Sequence, residues 1–257
     1  MVVTSSGEPT ICLKRVTLHY GGDDVVRDVD LEVRQGETKV ILGPSGVGKS
    51  TILKAILGLL KPRSGEVYFH GREISELPEH ELVKIRLRMA MVFQQSALFD
   101  SMTVAENVSY RLREHGLMAA EKIGERVDEV LRFVGLRGAA KLWPAQLSGG
   151  MKKRVAIARA LASDPEIFLF DEPTVGLDPI NAFNIEQLIL RLKKKGDVSL
   201  LIVTHDVASA SRLADSMVML HEGKFIFEGT PQALKEHPDV RIREFLDPAN
   251  HHTSLPS

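Results

Sequence analysis

The sequence is poor in cysteine: Cys12 is the only one among 257 residues. One cysteine cannot form a disulfide within the chain, which excludes a small scaffold held together by disulfide bonds. We expect Cys12 to be a structural thiol rather than a redox centre. This composition is typical of proteins of the reducing cytosol.

A strong net charge and long apolar runs are also missing. Lysine and arginine number 33 against 34 aspartate and glutamate, so nothing in the charge favours a nucleic-acid partner. The longest apolar runs, around residues 52–60, are far shorter than the roughly 20 residues that a membrane-spanning helix requires. The N-terminal stretch has neither the basic segment nor the apolar core of a signal peptide. We therefore expect any membrane spans to belong to other chains.

The residues that are present predict a folded α/β protein. Apolar residues make up 44% of the chain and charged residues 26%, which argues against a disordered or fibrous chain. Apolar β-branched runs indicate buried strands at 38–42, 89–93, 167–170 and 200–204. Helical patterns separate them, at 49–60, 79–86, 155–162, 181–195 and 207–213. This alternation predicts a largely parallel sheet wrapped by helices.

Two segments interrupt that alternation. Residues 10–33 alternate as strands do and contain the turn residues Gly21 and Gly22, which predicts an antiparallel β layer. Residues 97–147 read as consecutive helices, at 104–113 and 119–134, without a buried strand. We therefore predict a single domain over residues 10–247 with an inserted helical subdomain at about 97–150. A strand at 224–228 and a helix from Pro231 precede a polar tail, residues 248–257.

A glycine-rich segment lies between the first predicted buried strand and the following helix. It fits the pattern G-x-x-x-x-G-K-[ST] and consists of Gly43, Pro44, Ser45, Gly46, Val47, Gly48, Lys49, Ser50 and Thr51. The glycines allow backbone N–H groups to point at phosphates, and the helix presents its positive end to the same anion. Lys49 would reach the β- and γ-phosphates and Ser50 would bind Mg²⁺. The alternative is a glycine-rich turn that binds nothing.

Two acidic residues follow the apolar run 167–170. A strand of such a sheet projects the residues at its carboxyl end beside the phosphate loop. Asp171 would hold magnesium, directly or through water, and Glu172 would polarise the attacking water. The alternative is that both carboxylates merely end a strand.

A second anion-binding helix start is predicted at residues 147–151. Ser148 can cap the helix that follows, and Gly149 and Gly150 expose backbone N–H groups. Alone, such a segment would be a cap and a turn. A phosphate loop and a second phosphate nest in one chain indicate a site shared between two copies.

The order of these motifs resembles that of ABC ATPase domains over nearly the full chain. Residues 43–51 look like Walker A, residues 147–151 like the ABC signature and residues 167–172 like Walker B. The resemblance implies a P-loop NTPase fold with a RecA-like core, ATP and Mg²⁺ as cofactors, and ATP hydrolysis as the reaction.

Four more residues occupy positions with a role in that family. Tyr20 stands in the place of an aromatic that stacks on adenine, and Gln94 in that of a glutamine that contacts magnesium and water. Asp178 stands in the place of the D-loop aspartate, and His205 in that of the switch histidine that contacts the γ-phosphate. Each has a structural alternative: Tyr20 as an edge-strand aromatic, Gln94 as a surface amide, Asp178 as a helix cap and His205 as a strand-end histidine. Gln95 competes with Gln94 for the place beside the metal.

The resemblance also implies a mechanism and partners. Two copies sandwich two ATP molecules head to tail, and Ser148, Gly149 and Gly150 reach the γ-phosphate only when the dimer is shut. Closure and hydrolysis drive transmembrane permease subunits. The surface that docks a permease helix would include Ala97, Leu98, Phe99 and Met102, for which core packing within the helical insertion is the alternative.

A narrower resemblance is to the ATPase subunits of Mla-type systems. It rests on Met151 in place of the usual signature glutamine and on the segments 92–108 and 237–246. These systems are associated with Mce-domain lipid-binding proteins and move phospholipids between bacterial membranes. The resemblance implies a peripheral position on the cytoplasmic face of the inner membrane, through the permease. The polar tail after Phe245 and Leu246 is expected to reach the partner subunit.

Other functions compete with this reading. One is the ATPase of another ABC importer, for example of a small polar solute. A soluble ABC ATPase of DNA repair, translation or cluster assembly is another, but those of repair and translation resemble fused pairs or carry coiled-coil insertions that this sequence lacks. A third is a non-hydrolysing, ATP-gated binding module, which the presence of Glu172 and His205 disfavours.

Overall fold

The computed structural model describes residues 8–194 and 198–247. Its strands are β1 (Ile11–Tyr20), β2 (Asp23–Val33), β3 (Thr38–Leu42), β4 (Ser64–Phe69), β5 (Arg72–Glu73), β6 (Met89–Val92), β7 (Ile167–Asp171), β8 (Ser199–Thr204), β9 (Ser216–His221) and β10 (Lys224–Gly229). Its α-helices are α1 (Lys49–Ile56), α2 (Glu79–Arg86), α3 (Val104–Glu114), α4 (Ala120–Phe133), α5 (Gly149–Ala162), α6 (Pro179–Lys193), α7 (Val207–Leu213), α8 (Pro231–Lys235) and α9 (Val240–Leu246). A 3₁₀ helix spans Pro144–Gln146. Within the described ranges, no helix combines the length and the apolar composition needed to cross a membrane.

The chain divides into two compact units. The first comprises described residues 8–76 and 201–247, and the second comprises the described residues between 77 and 200. In the first unit, β1 pairs antiparallel with both β2 and β4, and β5 follows β4 at the edge. This is the antiparallel layer that the alternation of residues 10–33 predicts.

A second sheet of the first unit has β3 between β9 and β8, with β10 outside β9. β3 and β9 run parallel, from Lys39 opposite Ser216 to Leu42 opposite Met219, whereas β9 and β10 are antiparallel. Every residue of β3 is buried, as expected of a strand that is covered on both faces. The carboxyl end of this buried strand leads directly into Gly43.

In the second unit, β6 and β7 pair in parallel, with Met89 opposite Ile167 and Val92 opposite Phe170. Helices α3, α4 and α5 pack on one another, and α5 also packs on β6 and α6. The buried residues of α4 include Ile123, Val127 and Val130, at the spacing that places side chains on one helix face. Because parallel strands end at the same edge, the residues that follow Val92 and Phe170 lie at a common edge.

The predicted elements occur in the predicted order, with differences at their ends. Helix α1 ends at Ile56 rather than at residue 60, and Gly58 beyond it has a left-handed backbone with φ 63°. Helix α5 begins at Gly149, directly after the predicted cap Ser148 and six residues before its apolar pattern, so the two glycines lie inside its first turn. Strands β4, β5 and β9 were not predicted. Residues 97–147 contain α3, α4 and the 3₁₀ helix and no strand, while the subdomain boundaries at about 97–150 stay a prediction.

Candidate active site

The glycine-rich segment forms the connection between β3 and α1 in the first unit. Gly48 is the N-cap of α1 with φ 111°, a conformation that other residues rarely adopt. A Cβ at this position would lie 2.9 Å from Cγ2 of Val26 on β2, and a Cβ at Gly43 would collide with the carbonyl oxygen of Leu220 on β9. Glycine at both positions therefore lets the loop backbone lie directly against its neighbouring strands.

Lys49 supplies the positive charge of this loop. Its side chain is buried, and Nζ donates hydrogen bonds of 2.8 Å to the carbonyl oxygens of both Gly43 and Pro44. The ammonium thus lies within the curve of the loop backbone and next to the first turn of α1, whose N-terminus favours anions. A loop backbone, a buried cation and a helix N-terminus together suit a phosphate chain.

The other loop residues differ in exposure. Ser45 and Gly46 are exposed, and the half-buried residues are Pro44, Val47, Ser50 and Thr51. The Ser50 hydroxyl is a hard oxygen donor of the kind that Mg²⁺ prefers. The loop therefore contains the residue types that an Mg–nucleotide requires.

Two more predicted residues belong to the first unit. His205 directly follows β8 and is exposed, and the next residue, Asp206, caps α7 by accepting hydrogen bonds from the N–H groups of Ala208 and Ser209. Tyr20 ends β1, where its backbone pairs with Asp23. The side chain of Tyr20 lies outside the described part of the structure, so its stacking on adenine stays a prediction.

The parallel pair β6 and β7 brings the remaining hydrolytic candidates to one edge of the second unit. Gln94 lies two residues beyond Val92, and Asp171 and Glu172 directly follow Phe170, the partner of Val92. Asp171 is half-buried and offers carboxylate oxygens suited to Mg²⁺. Gln94 and Gln95 are both exposed, and the choice of Gln94 stays a prediction.

Glu172 is buried and has a left-handed backbone. Glu172 is 7% exposed. Its φ is 46°, a value that is uncommon for a residue other than glycine. Backbone strain of this kind persists where the surrounding structure fixes it, and it is frequent at catalytic sites. Burial distinguishes Glu172 from Glu222, which has nearly the same φ but is exposed, and the catalytic role of Glu172 stays a prediction.

The second predicted anion site is the first turn of α5. Ser148 caps this helix by accepting a hydrogen bond of 3.3 Å from the backbone N–H of Met151. Gly149 and Gly150 occupy the first turn, where backbone N–H groups have no intrahelical partner. The predicted cap is therefore present, and the helix presents its positive end at the signature residues.

Asp178, the predicted D-loop aspartate, is linked to the same region through Asn181. Asp178 caps α6 by accepting hydrogen bonds from the N–H groups of Ile180 and Asn181, and it also accepts one of 2.5 Å from the Asn181 side chain. The Asn181 side-chain hydrogen bond lowers the pKa of Asp178. A Cβ at Gly150 would lie 2.5 Å from Oδ1 of Asn181. The capping alternative for Asp178 is thus observed, and Asn181 joins it to the signature turn.

Two cations on α5 lie next to these candidates and were not singled out by the sequence. Lys153 is buried and donates a 3.1 Å hydrogen bond to the carbonyl oxygen of Phe93, the residue before Gln94. Burial lowers the pKa of Lys153 to about 8, and the nearby charges of Asp171 and Glu172 oppose that shift. Arg159 donates to the carbonyl oxygens of Ser96 and Ala97. In the sequence, Lys153 is one of three consecutive basic residues, a pattern that usually indicates a solvated surface.

Comparison with known proteins finds similar sequences over most of the chain. A family model described as ABC transporter matches residues 26–175. The chain is 42% identical over 235 residues to the intermembrane phospholipid transport system ATP-binding protein MlaF of Escherichia coli strain K12, covering 91% of this chain and 87% of the relative. It is 40% identical over 235 residues to the probable ribonucleotide transport ATP-binding protein mkl of Mycobacterium leprae, covering 91% of this chain and 68% of that protein.

Among solved structures, one similar fold is the dimeric post-hydrolysis state of the ATP-binding cassette MJ0796 bound to ADP and Pi. Its sequence is 38% identical to this one and the TM-score is 0.78, with 86% of this chain and 98% of the other covered. The predicted α/β fold with a phosphate-binding loop is therefore confirmed.

Proposed function

Since the chain belongs to the ABC transporter family and hydrolyses ATP as its members do, we propose that it powers the movement of phospholipids between bacterial membranes. The observation that carries this proposal is its identity with the MlaF proteins over most of both chains. That likeness extends well beyond the ATP-binding motifs, so it concerns the whole subunit.

We assign the nucleotide to the loop between β3 and α1. The loop backbone from Gly43 to Gly48, the Lys49 ammonium and the start of α1 would hold the phosphates, and Tyr20 would stack on adenine. Ser50 would bind Mg²⁺ through its hydroxyl, Gln94 through its amide oxygen and Asp171 through its carboxylate, since oxygen is the ligand atom that Mg²⁺ prefers. The metal, when bound, neutralises charge on the phosphates.

Hydrolysis then depends on Glu172 and His205. The Glu172 carboxylate would accept a proton from the attacking water, and its buried position limits competition from solvent. His205 would donate a hydrogen bond to the γ-phosphate, and Gln94 would orient the water. Each residue would act at an atom that gains or loses charge during the reaction.

A second copy of the chain would complete each site. Ser148, Gly149 and Gly150 of one copy would offer their hydroxyl and N–H groups to the γ-phosphate held by the other, with Asp178 at the same interface. Support comes from the Ser148 cap and from the dimeric state of the related cassette. ATP would therefore favour the closed dimer.

A transmembrane permease would dock at an exposed aromatic surface of the second unit. Phe99 is 40% exposed and packs on Tyr110, which is 36% exposed, with ring centroids 4.7 Å apart. Ala97 is also exposed, and Leu98 and Met102 are half-buried. Exposed apolar residues close together commonly mark a protein interface, which favours docking over core packing for this segment.

The complete assembly would include the permease and an Mce-domain lipid-binding protein, with this chain on the cytoplasmic face of the inner membrane. The test is to purify the tagged chain from solubilised native membranes and to identify copurifying proteins and lipids by mass spectrometry. A permease with an Mce-domain protein and bound phospholipid is the expected result. A different permease would reject the phospholipid assignment, and no membrane protein at all would reject the transporter role.

A matched pair of variants tests the docking surface in the same experiment. Phe99→Glu places a charge on the aromatic surface and should abolish recovery of the permease. Leu59→Glu is the control, because Leu59 is 57% exposed in the other unit. Equal recovery of the permease with both variants would rule out the Phe99 surface.

One finding favours a second cargo. The mkl relative is named as a probable ribonucleotide transport protein at nearly the same identity. A small polar solute is therefore the competing cargo, and copurification of nucleotide with a permease but without phospholipid would support it.

A further inference from the structure

The segment between β6 and α3, residues 93–103, is fixed to the rest of the second unit by side chains of two helices. We call it the Gln94 loop, since it contains the glutamine proposed to contact metal and water. Lys153 and Arg159 contact its first half, and Asn107 contacts its second half.

Lys153 holds the first residue of this loop. Lys153 is 3% exposed, and its Nζ donates a hydrogen bond to the carbonyl oxygen of Phe93, the first residue of the loop. The same oxygen accepts the backbone N–H of Ser96 at 3.1 Å, which closes a turn around Gln94 and Gln95. The Lys153 ammonium therefore bonds to the turn that presents Gln94.

Two carboxylates at the end of β7 interact electrostatically with Lys153. Asp171 and Glu172 both favour its charged form, against the effect of burial. β6 and β7 are parallel neighbours, so Phe93 and Asp171 leave the sheet at the same edge. Lys153 is thus hydrogen-bonded to the residue after β6 and is attracted by the carboxylates at the end of β7.

Arg159 holds the middle of the loop in an unusual conformation. Ser96 and Ala97 have φ values of 62° and 46°, a left-handed backbone that disfavours residues with a Cβ. Arg159 donates to both of their carbonyl oxygens, at 2.9 and 2.7 Å. Two bonds from one guanidinium keep these residues in place.

Asn107 holds the second half from α3. It is fully buried, accepts the N–H of Phe99 at 2.8 Å, and its amide nitrogen lies 3.0 Å from the carbonyl oxygens of Phe99, Met102 and Thr103. With this end fixed independently, loss of Lys153 should loosen the turn at Gln94 without releasing the exposed aromatic surface.

A buried lysine at this position calls for an explanation beyond packing. Removing an ammonium from water is unfavourable unless hydrogen bonds and charges compensate. A methionine has a similar length and flexibility and would fill the space without that cost. A lysine, unlike an apolar side chain, supplies both a hydrogen bond to Phe93 and a positive charge beside the carboxylates of β7.

We propose that Lys153 is a positioning residue for ATP hydrolysis, which holds the turn of Gln94 at the sheet edge where Glu172 lies. This inference rests on the roles proposed above for Gln94 and Glu172. Ser148 caps the same helix, five residues before Lys153, or about 7.5 Å along its axis. The helix that presents the signature to the second copy therefore also sets the position of Gln94.

The test compares ATP hydrolysis by the purified assembly carrying wild-type chain, Lys153→Met, Lys153→Arg or Lys152→Met. Lys152 is the control, because it is the neighbouring lysine and is only half-buried. Lys153→Met should lower kcat by about tenfold or more. KM for ATP should stay within about twofold, since ATP binding does not use the hydrogen bond between Lys153 and Phe93. Lys153→Arg should recover much of kcat because it keeps the charge and the donor.

A second readout requires no turnover. Amide hydrogen exchange of residues 94–97 should be faster in Lys153→Met than in Lys152→Met, whereas exchange in α3 should be equal. Should Lys153→Met fail to fold, Lys153→Gln takes its place with the same expectation, since its side chain is too short to reach Phe93 without a shift.

The inference is overturned if Lys153→Met keeps the kcat of Lys152→Met, or if Lys153→Arg loses as much activity as Lys153→Met. Glu172→Gln, measured in the same assay, separates this failure from that of the proposed function. If Glu172→Gln is inactive and Lys153→Met is not, only the positioning role is lost. If Glu172→Gln is fully active, the assignment of the hydrolytic residues fails.

Discussion

At the scale of single residues, Glu172 has the most restrictive surroundings of the hydrolytic candidates. It is buried, its backbone is left-handed, and it follows a strand whose apolar residues are all buried. A carboxylate held this way has few orientations to choose from, which suits a group that must meet one water molecule.

Replacing Glu172 by glutamine should remove the proton acceptor and keep the size of the side chain. We expect ATP turnover to fall by about 100-fold or more and bound ATP to persist. Glu222→Gln is the control, because Glu222 has nearly the same backbone conformation, with φ 47°, and is exposed. Steady-state phosphate release measures the effect, and an active Glu172→Gln would remove this residue from catalysis.

Residues differ in how far the sequence predicts them. The loop from Gly43 to Thr51 is predictable because its function requires glycine where the backbone approaches β2 and β9, and glycine is visible in the sequence. Lys153 is not predictable, because one lysine of a basic run becomes buried only when α5 packs on β6. Its burial comes from tertiary packing, and the carboxylates of Asp171 and Glu172 that act on it belong to another element, so no local pattern contains either.

At the scale of elements, α5 and α6 meet where Gly150 faces Asn181. Gly150→Ala should destabilise the fold by about 1–3 kcal/mol. The new Cβ would lie 2.5 Å from Oδ1 of Asn181 and would displace that side chain. Gly149→Ala is the control, since a Cβ there meets Leu177 at an ordinary 3.8 Å.

A double-mutant cycle checks the cause of this effect. Asn181→Ala removes the atom that Gly150→Ala would strike, so the double variant should be more stable than the two single effects predict, by about 0.5–3 kcal/mol. Urea denaturation measures all four proteins. Strict additivity would mean that the α5–α6 contact is not what requires glycine.

The start of α3 provides a pH-dependent contribution to stability. Glu106 accepts hydrogen bonds of 2.7 Å from both the hydroxyl and the backbone N–H of Thr103, and the hydroxyl bond is the larger cause that lowers the pKa of Glu106 below its ordinary 4.5. A lowered carboxyl pKa stabilises the fold above the unfolded pKa, and the contribution disappears as pH falls through the folded pKa.

Glu106→Ala should therefore lower the thermal midpoint at pH 7, and the difference from wild type should shrink as the pH falls below about 4.5. Glu114→Ala, on the exposed end of the same helix, should change little. Melting curves across this pH range test the prediction, and a difference that stays constant down to low pH would contradict it.

Elements were predictable where periodicity is strong and less so at their ends. Buried strands such as β3 and helices such as α4 follow from apolar patterns. The apolar period of α5 begins only at residue 155, because glycines and lysines carry no such period, and the start of the helix at Gly149 follows from the predicted Ser148 cap. Strand β9 contains one β-branched residue, Val218, so its composition does not indicate a strand, and its pairing with β3 and β10 stabilises it.

At the scale of the whole molecule, the expected functional unit is a pair of chains. In Glu172→Gln, ATP should convert the protein from monomer to dimer, and Ser148→Arg added to this background should prevent the conversion, because a large side chain would stand at the signature turn. Light scattering with and without ATP measures the change. A dimer that forms equally with Ser148→Arg would exclude the signature from the interface.

The polar tail, residues 248–257, lies outside the described residues, and its contact with the partner chain stays a prediction. It implies that a chain ending at Asp247 forms the ATP-dependent dimer more weakly in the same measurement. Unchanged dimerisation would reject it. Partners and cargo are the least predictable from one sequence, because other chains determine them.

The aromatic pair Phe99 and Tyr110 has a consequence for protein synthesis. If a permease covers these rings, every copy made in excess of the permease displays them to water, and uncovered apolar surfaces favour self-association. The cell would then benefit from producing this subunit in proportion to its membrane partner, and overproduction of the chain alone would reduce its own soluble yield.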